Sequence, residues 1–154
     1  ELGEPRLMVR TNLHDTALHL ATGPDGFGLA YRNDEDGDAV LEYHFVALDR
    51  RGAPLHPPAR ISRADGPRGP QLAWGGGLFS GATIRSFQRN LLVGLNRFDA
   101  RGAKSGGEFQ IYADKSNFTR VAVTADGSRA MLVYAEDRQA QGRILASRVQ
   151  CRAP

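Results

Sequence analysis

Two segments fifty residues apart carry the same turn chemistry. Leu48-Asp49-Arg50-Arg51-Gly52-Ala53 and Phe98-Asp99-Ala100-Arg101-Gly102-Ala103 each follow an apolar run of strand length. An Asp three residues before a Gly suits a tight reversal. Its carboxylate can accept from the backbone N–H groups that follow, and Gly takes positive φ without a Cβ clash. Recurrence at a fixed spacing is the mark of a repeat architecture, one supersecondary unit built several times over. It constrains form far more than chemistry.

The rest of the chain is punctuated in the same way. Short runs rich in Val, Leu, Ile, Phe and Tyr are separated by clusters of Gly, Pro, Asn and Asp. No window sustains a 3.6-residue apolar stripe behind a cap, so almost no helix is expected. Twelve strands are expected, over 6–11, 17–22, 26–33, 39–49, 59–63, 70–75, 78–86, 90–99, 108–113, 119–125, 129–137 and 143–151. They divide into three sets of four, with repeats at about 6–50, 59–99 and 108–151.

The sets share further features. Asp25-Gly26 and Asp126-Gly127 each join an alternating strand to a nearly continuous apolar one, a strong hairpin signal. The middle set has Gly75-Gly76-Gly77 there instead, which permits positive φ but specifies register less firmly. The run 40–48 places Leu41, Tyr43, Phe45 and Ala47 on one face, and Val40, Glu42, His44, Val46 and Leu48 on the other. Strands that are apolar on both faces are expected to be covered on both. The segment 59–63, flanked by Pro57 and Pro58, suits a sheet edge.

At 154 residues the chain suits a single all-β repeat domain over 1–154, large enough for a core without disulfide or metal staples. No apolar stretch is long enough for a membrane-spanning helix. The chain starts at Glu1 rather than Met, as expected of a processed or excised segment. The lone Cys151 forms no internal disulfide and reads as a small half-buried residue. Charge is uneven: residues 1–77 carry a net −3 and residues 78–154 a net +6. Eighteen Arg against Lys104 and Lys115 are also what a GC-rich coding sequence produces.

These patterns resemble a family of bacterial secreted repeat proteins built from propeller-type blades of about fifty residues. The carriers are Gly26-Phe27-Gly28-Leu29-Ala30-Tyr31-Arg32-Asn33-Asp34, Ala47 to Leu55, and Pro70-Gln71-Leu72-Ala73-Trp74. Tyr134-Ala135-Glu136-Asp137-Arg138 supplies a second charged hairpin. The likeness spans most of residues 17–151, and the middle unit departs from it over Phe79–Arg89. It implies a secreted, periplasmic or cell-surface location and three four-stranded antiparallel blades. Because a propeller normally needs at least four blades to close, it also implies a segment of a longer or oligomeric propeller. A β-trefoil is the rival fold of this size. Its Gln-x-Trp signature is absent, since Gln71-Leu72-Ala73-Trp74 has the wrong spacing.

Residue groups that could carry chemistry are few. Asp34, Asp36 and Asp38 around Gly37, with Glu42 beyond, offer hard oxygen ligands, so calcium is the one cofactor with a ligand set in the sequence. An acidic hairpin tip without an ion is the plainer reading. Arg85, Arg89, Arg97 and Arg101 with Phe87 and Phe98 would form a basic, aromatic face if one hairpin gathered them; solvated strand edges explain the same residues. His14 and His19 fall on opposite strand faces, His44 reads as a structural histidine and His56 as a solvent-facing loop residue. Asp49 and Asp99 read as turn caps rather than a glycosidase pair. There is no nucleophile elbow and no phosphate loop.

The sequence therefore leads to a non-enzymatic binding or assembly module of an extracytoplasmic protein. Hairpin loops 34–38, 85–90 and 137–142 would meet a protein partner (itself or the rest of a propeller) or a glycan, and nucleic acid is not expected. A portion of a larger hydrolytic enzyme and a calcium-dependent lectin are the alternatives.

Overall fold

The computed structural model describes residues 17–34, 41–63, 68–87, 90–112, 117–126, 129–138 and 141–150. Every regular element among them is a β-strand. The strands are β1 (Leu18–Thr22), β2 (Gly26–Asn33), β3 (Glu42–Asp49), β4 (Ala59–Arg63), β5 (Gln71–Gly75), β6 (Leu78–Phe87), β7 (Asn90–Phe98), β8 (Phe109–Tyr112), β9 (Asn117–Asp126), β10 (Arg129–Arg138) and β11 (Gln141–Gln150). They form three antiparallel meanders: β1-β2-β3-β4, β5-β6-β7-β8 and β9-β10-β11. The expected strand 6–11, His14 and Cys151 lie outside the described residues.

The sheets begin one strand later than the expected repeats. Segment 59–63 is the fourth strand of the first sheet, not the first strand of the second, and β8 closes the middle sheet in the same way. The reason lies in the repeated turn. Asp49 Oδ1 accepts from the N–H groups of Arg51 and Ala53, both at 2.8 Å, and Gly52 sits at φ 81°. Asp99 Oδ1 accepts from Arg101 at 2.8 Å and Ala103 at 2.9 Å, with Gly102 at φ 84°. Each turn sends the chain back along the strand just finished, as the Leu48–Pro54 and Phe98–Lys104 bridges show. It thus leads from the third strand to the fourth within one sheet and does not mark the end of a unit.

Register makes the three sheets superposable in sequence terms. Phe27 pairs with Leu48, Phe79 with Phe98, and Ala130 with Val149, on the corresponding strands of each sheet. We call the face toward the preceding sheet the back and the face toward the following sheet the front. Ala30, Tyr43, Phe45 and Ala47 on the front of the first sheet pack on Leu72, Phe79 and Phe98 on the back of the middle one. Phe45 stacks on Phe98 at 4.8 Å and meets Phe79 at 5.2 Å. Ala82, Ile84, Val93 and Leu95 on the front of the middle sheet pack on Phe118, Val121, Leu132 and Val149 on the back of the third. The same front-to-back junction is therefore made twice. Leu29, Tyr31, Val46 and Leu48 form a separate cluster on the back of the first sheet.

The inner strands β1, β5 and β9 adjoin one another, and small residues set that spacing. A Cβ on Gly75 would lie 2.4 Å from the backbone of Ala125, so only glycine lets β5 come this close to β9. His19 joins β1 to β5, its Nδ1 accepting the N–H of Leu72 at 2.9 Å. His56 differs from expectation in being half-buried. Its Nε2 accepts the N–H of Ala47 at 2.9 Å, and its Nδ1, 2.6 Å from Pro57 O, is thereby set as the protonated nitrogen.

Gly102 carries two constraints: positive φ, and a Cβ position 2.0 Å from the His56 ring. Gly77 also has positive φ but open space around it. Gly77→Ala should thus cost about 1 kcal/mol, the ordinary penalty for a left-handed residue, and Gly102→Ala clearly more. Urea unfolding of the two variants measures the gap, and equal losses would show that the His56 contact carries no weight.

Candidate functional site

The residues that stand out are those where one sheet breaks the pattern of its equivalents. Aligned by register, Tyr43, Val93 and Ile144 occupy one position on the front of the three sheets, each facing a matched partner on the second strand (Arg32, Ile84 and Ala135). Tyr43 and Val93 are fully buried, whereas Ile144 is 81% exposed. On the inner strands Leu20, Leu72 and Val123 are likewise equivalent, pairing with Leu29, Gly81 and Leu132. Leu72 is 3% exposed and Val123 packs against the core, but Leu20 is 50% exposed. Of the exposed large hydrophobics, Leu18 and Leu20 lie on the back of the first sheet and Met131 and Ile144 on the front of the third, while Phe109 and Tyr112 lie on β8 of the middle sheet and Leu55 follows the 49–53 turn.

The front of the third sheet also bears a groove of about 450 Å³. Ala122, Val133, Ala135 and Ile144 make its apolar floor, and Arg68, Gln71 and Arg120 bring polar groups to it. Arg68 precedes β5 and is positioned from two sides. Its carbonyl accepts from the Tyr43 hydroxyl, and its Nε donates to Thr119 O at 3.3 Å. Guanidinium groups above apolar side chains hold a partner by charge and contact area, and this arrangement contains no nucleophile–base pair.

The residues expected to bind a ligand are not gathered into one patch. Arg85 stands on the back of the middle sheet, opposite Leu92, and Arg97 lies five residues beyond Leu92 on β7, so it faces the front. Arg97 is buried, and Arg101 is exposed in the 99–103 turn. Arg89 and the side chain of Phe87 lie outside the described residues. Arg85 is instead ion-paired with Glu108, whose carboxylate also accepts from Asn96 at 3.2 Å and from Gln110. Beside this network Ser62 of β4 and Thr83 of β6 lie 3.3 Å apart across the junction of the first two sheets. Glu108 had no sequence signal, standing alone before Phe109.

Of the expected calcium ligands, Asp36 and Asp38 lie outside the described residues, as do the rest of loop 34–38 after Asp34 and residues 88–89 and 139–140 of the other two loops. Asp34 is half-buried, and Glu42 is buried with Arg60 at 2.9 Å and His44 at 3.5 Å. His44 is buried and stacked on Tyr31 at 5.7 Å. Among the described residues no three His, Cys, Asp or Glu side chains gather as a metal-ligand set. Trp74 packs edge-on against Phe79 at 4.6 Å, and Tyr134 against Phe118 at 5.2 Å. The stretch Asn117-Phe118-Thr119 matches a glycosylation acceptor pattern by composition, and its Phe118 is buried in β9. No described helix is long and apolar enough to cross a membrane. No family model matches the chain, and no curated protein matches it either.

Two outcomes follow from these contacts. Glu108→Ala leaves Arg85 and Asn96 without their shared acceptor in a part-buried site, a loss of about 2–4 kcal/mol in denaturant unfolding. An unchanged midpoint would mean that the network is solvent-screened. With Glu42 held by Arg60, the melting temperature should be the same in millimolar calcium and in chelator; a rise with calcium would restore the lectin alternative.

Proposed function

We propose that the chain is a non-enzymatic binding and assembly module of an extracytoplasmic bacterial protein, built as consecutive blades of a propeller-type repeat. One observation carries the reading. The front of the third sheet has the register of two faces that are core elsewhere, yet Met131 and Ile144 stand exposed on it. A contiguous apolar face with a charged border is what an interaction surface presents to a partner. The inner strands adjoin and the sheets stack front to back, an arrangement that suits neighbouring blades better than a trefoil. Catalysis has no comparable support, since the one hydroxyl among the groove's lining side chains, that of Tyr134, lies 3.2 Å from Ser147 Oγ, and no carboxylate, imidazole or thiol lines the groove beside it.

The reading requires that the front of the third sheet contribute little to the folding of the chain itself. At low-micromolar concentration Ile144→Asp should change stability by no more than about 0.5 kcal/mol, the usual range for an exposed site. Val93→Asp, at the equivalent position of the middle sheet, should cost more than about 4 kcal/mol by burying an unpaired carboxylate. Thermal and urea unfolding compare the two, and comparable losses would show that Ile144 is core and would remove the binding face.

A further inference from the structure

We infer that Arg97 and Ser80, paired across β7 and β6 within the middle sheet, hold a small oxyanion: inorganic phosphate or the carboxylate of a small acid. The site is independent of whatever meets the exposed face of the third sheet.

Arg97 lies on the front of the middle sheet, two residues beyond Leu95, and is 7% exposed. Among the described residues its guanidinium has no hydrogen-bond or ion-pair partner, and its Nε is buried. Arg85, on the back of the same sheet, is by contrast ion-paired with Glu108. Directly across from Arg97 stands Ser80, fully buried, whose Oγ also lacks a partner among the described residues. Buried polar groups in proteins are nearly always hydrogen-bonded, so two adjacent ones without partners require a physical cause.

A buried charge has to be compensated, because leaving water without a counter-charge costs several kcal/mol. A buried lysine or histidine can give up its proton. An arginine cannot, since its guanidinium stays protonated throughout the range in which proteins fold. The compensation must therefore be an anion, and no described carboxylate is paired with Arg97. The donors then fix its class. Nε–H and the neighbouring Nη–H form a planar fork that fits two oxygens of one carboxylate or phosphate. The Ser80 hydroxyl adds a third donor beside it.

Equivalent registers show how an apolar junction became polar here. The Ser80–Arg97 position of the middle sheet is Gly28–Ala47 in the first. There the Phe79 ring lies against Gly28, where even a Cβ would come within 2.6 Å of it. At the position of Phe79 the third sheet has Ala130, and at that of Phe98 it has Val149. The second junction thus lacks the two rings that fill the first. A serine and an arginine stand where the first junction has a glycine and an alanine, so hydrogen-bond donors have replaced aromatic contact.

The test titrates the full chain with sodium phosphate or sodium acetate, ionic strength being held constant with sodium chloride. Calorimetry should show one saturable site per chain. The melting temperature should rise by about 3–6 °C at tenfold excess over Kd. Arg97→Met should bind at least about tenfold more weakly, and Ser80→Ala by a smaller factor. Without added oxyanion Arg97→Met should unfold at the same or a higher urea concentration than wild type, since it removes a buried charge. Circular dichroism confirms folding. Should Arg97→Met fail to fold, Arg97→Lys keeps the charge without the fork and should still bind more weakly than wild type. Saturation by phosphate alone assigns the site to phosphate, by acetate alone to a carboxylate, and by both to either oxyanion. No saturable binding of either anion overturns the inference, as does a stabilisation of equal size in wild type and Arg97→Met, which is the general effect of excluded salts. Undiminished binding in the Arg97 variant overturns it as well, by placing the anion elsewhere.

Discussion

A β-sheet whose two faces are both apolar cannot be satisfied by one neighbour, and that constraint organises this molecule. The middle sheet meets it fully. Leu72, Phe79 and Phe98 turn toward the first sheet while Ala82, Ile84, Val93 and Leu95 turn toward the third. Its strands are consequently apolar on successive residues, as strands covered on both sides are. The flanking sheets have the same two-faced character, and the stack ends in faces that carry exposed Leu18, Leu20, Met131 and Ile144. The back of the first sheet is nevertheless largely buried, through Leu29, Tyr31, Val46 and Leu48, so the proposed function draws on the front of the third sheet, where Met131 and Ile144 stand exposed.

Two further devices hold the stack in register. The aspartate turns close each meander by giving two backbone N–H groups to one carboxylate oxygen, so the third and fourth strands are joined identically in the first and middle sheets. At the inner edge, Gly75 permits close approach to Ala125, and His19 satisfies the N–H of Leu72 that an edge strand would otherwise leave to water. Between the first two sheets the polar interior is managed by matched groups. Glu108 collects Arg85, Asn96 and Gln110, and Ser62 approaches Thr83. These contacts favour one alignment of sheets over slipped ones, because a shift would leave their buried polar atoms without partners.

Several features were legible from residue order for local reasons. Strand positions followed from alternation and turn residues, and the roles of Asp49 and Asp99 followed from the Asp–Gly spacing. The split of the 40–48 run into a Tyr43-Phe45-Ala47 face and a Val46-Leu48 face followed from the two-residue period. The unit boundary did not follow, since nothing local says whether a turn closes a unit or continues it. The Arg85–Arg97 patch failed for a related reason. Counting residues around a hairpin places them near each other, but the pairing of Arg85 with Leu92 sets Arg97 on the opposite face.

The sequence by itself determined the kind of element, the repeated turn and the all-β class, because each depends on interactions within a few residues. Tertiary structure alone decided which strands share a sheet, which faces are core, and that Tyr43, Val93 and Ile144 are one position in three environments. Ile144 is written in the same apolar alphabet as the residues it matches. Whether such a side chain is buried or offered to a partner depends on a sheet being packed against it, and that packing joins residues far apart in the chain.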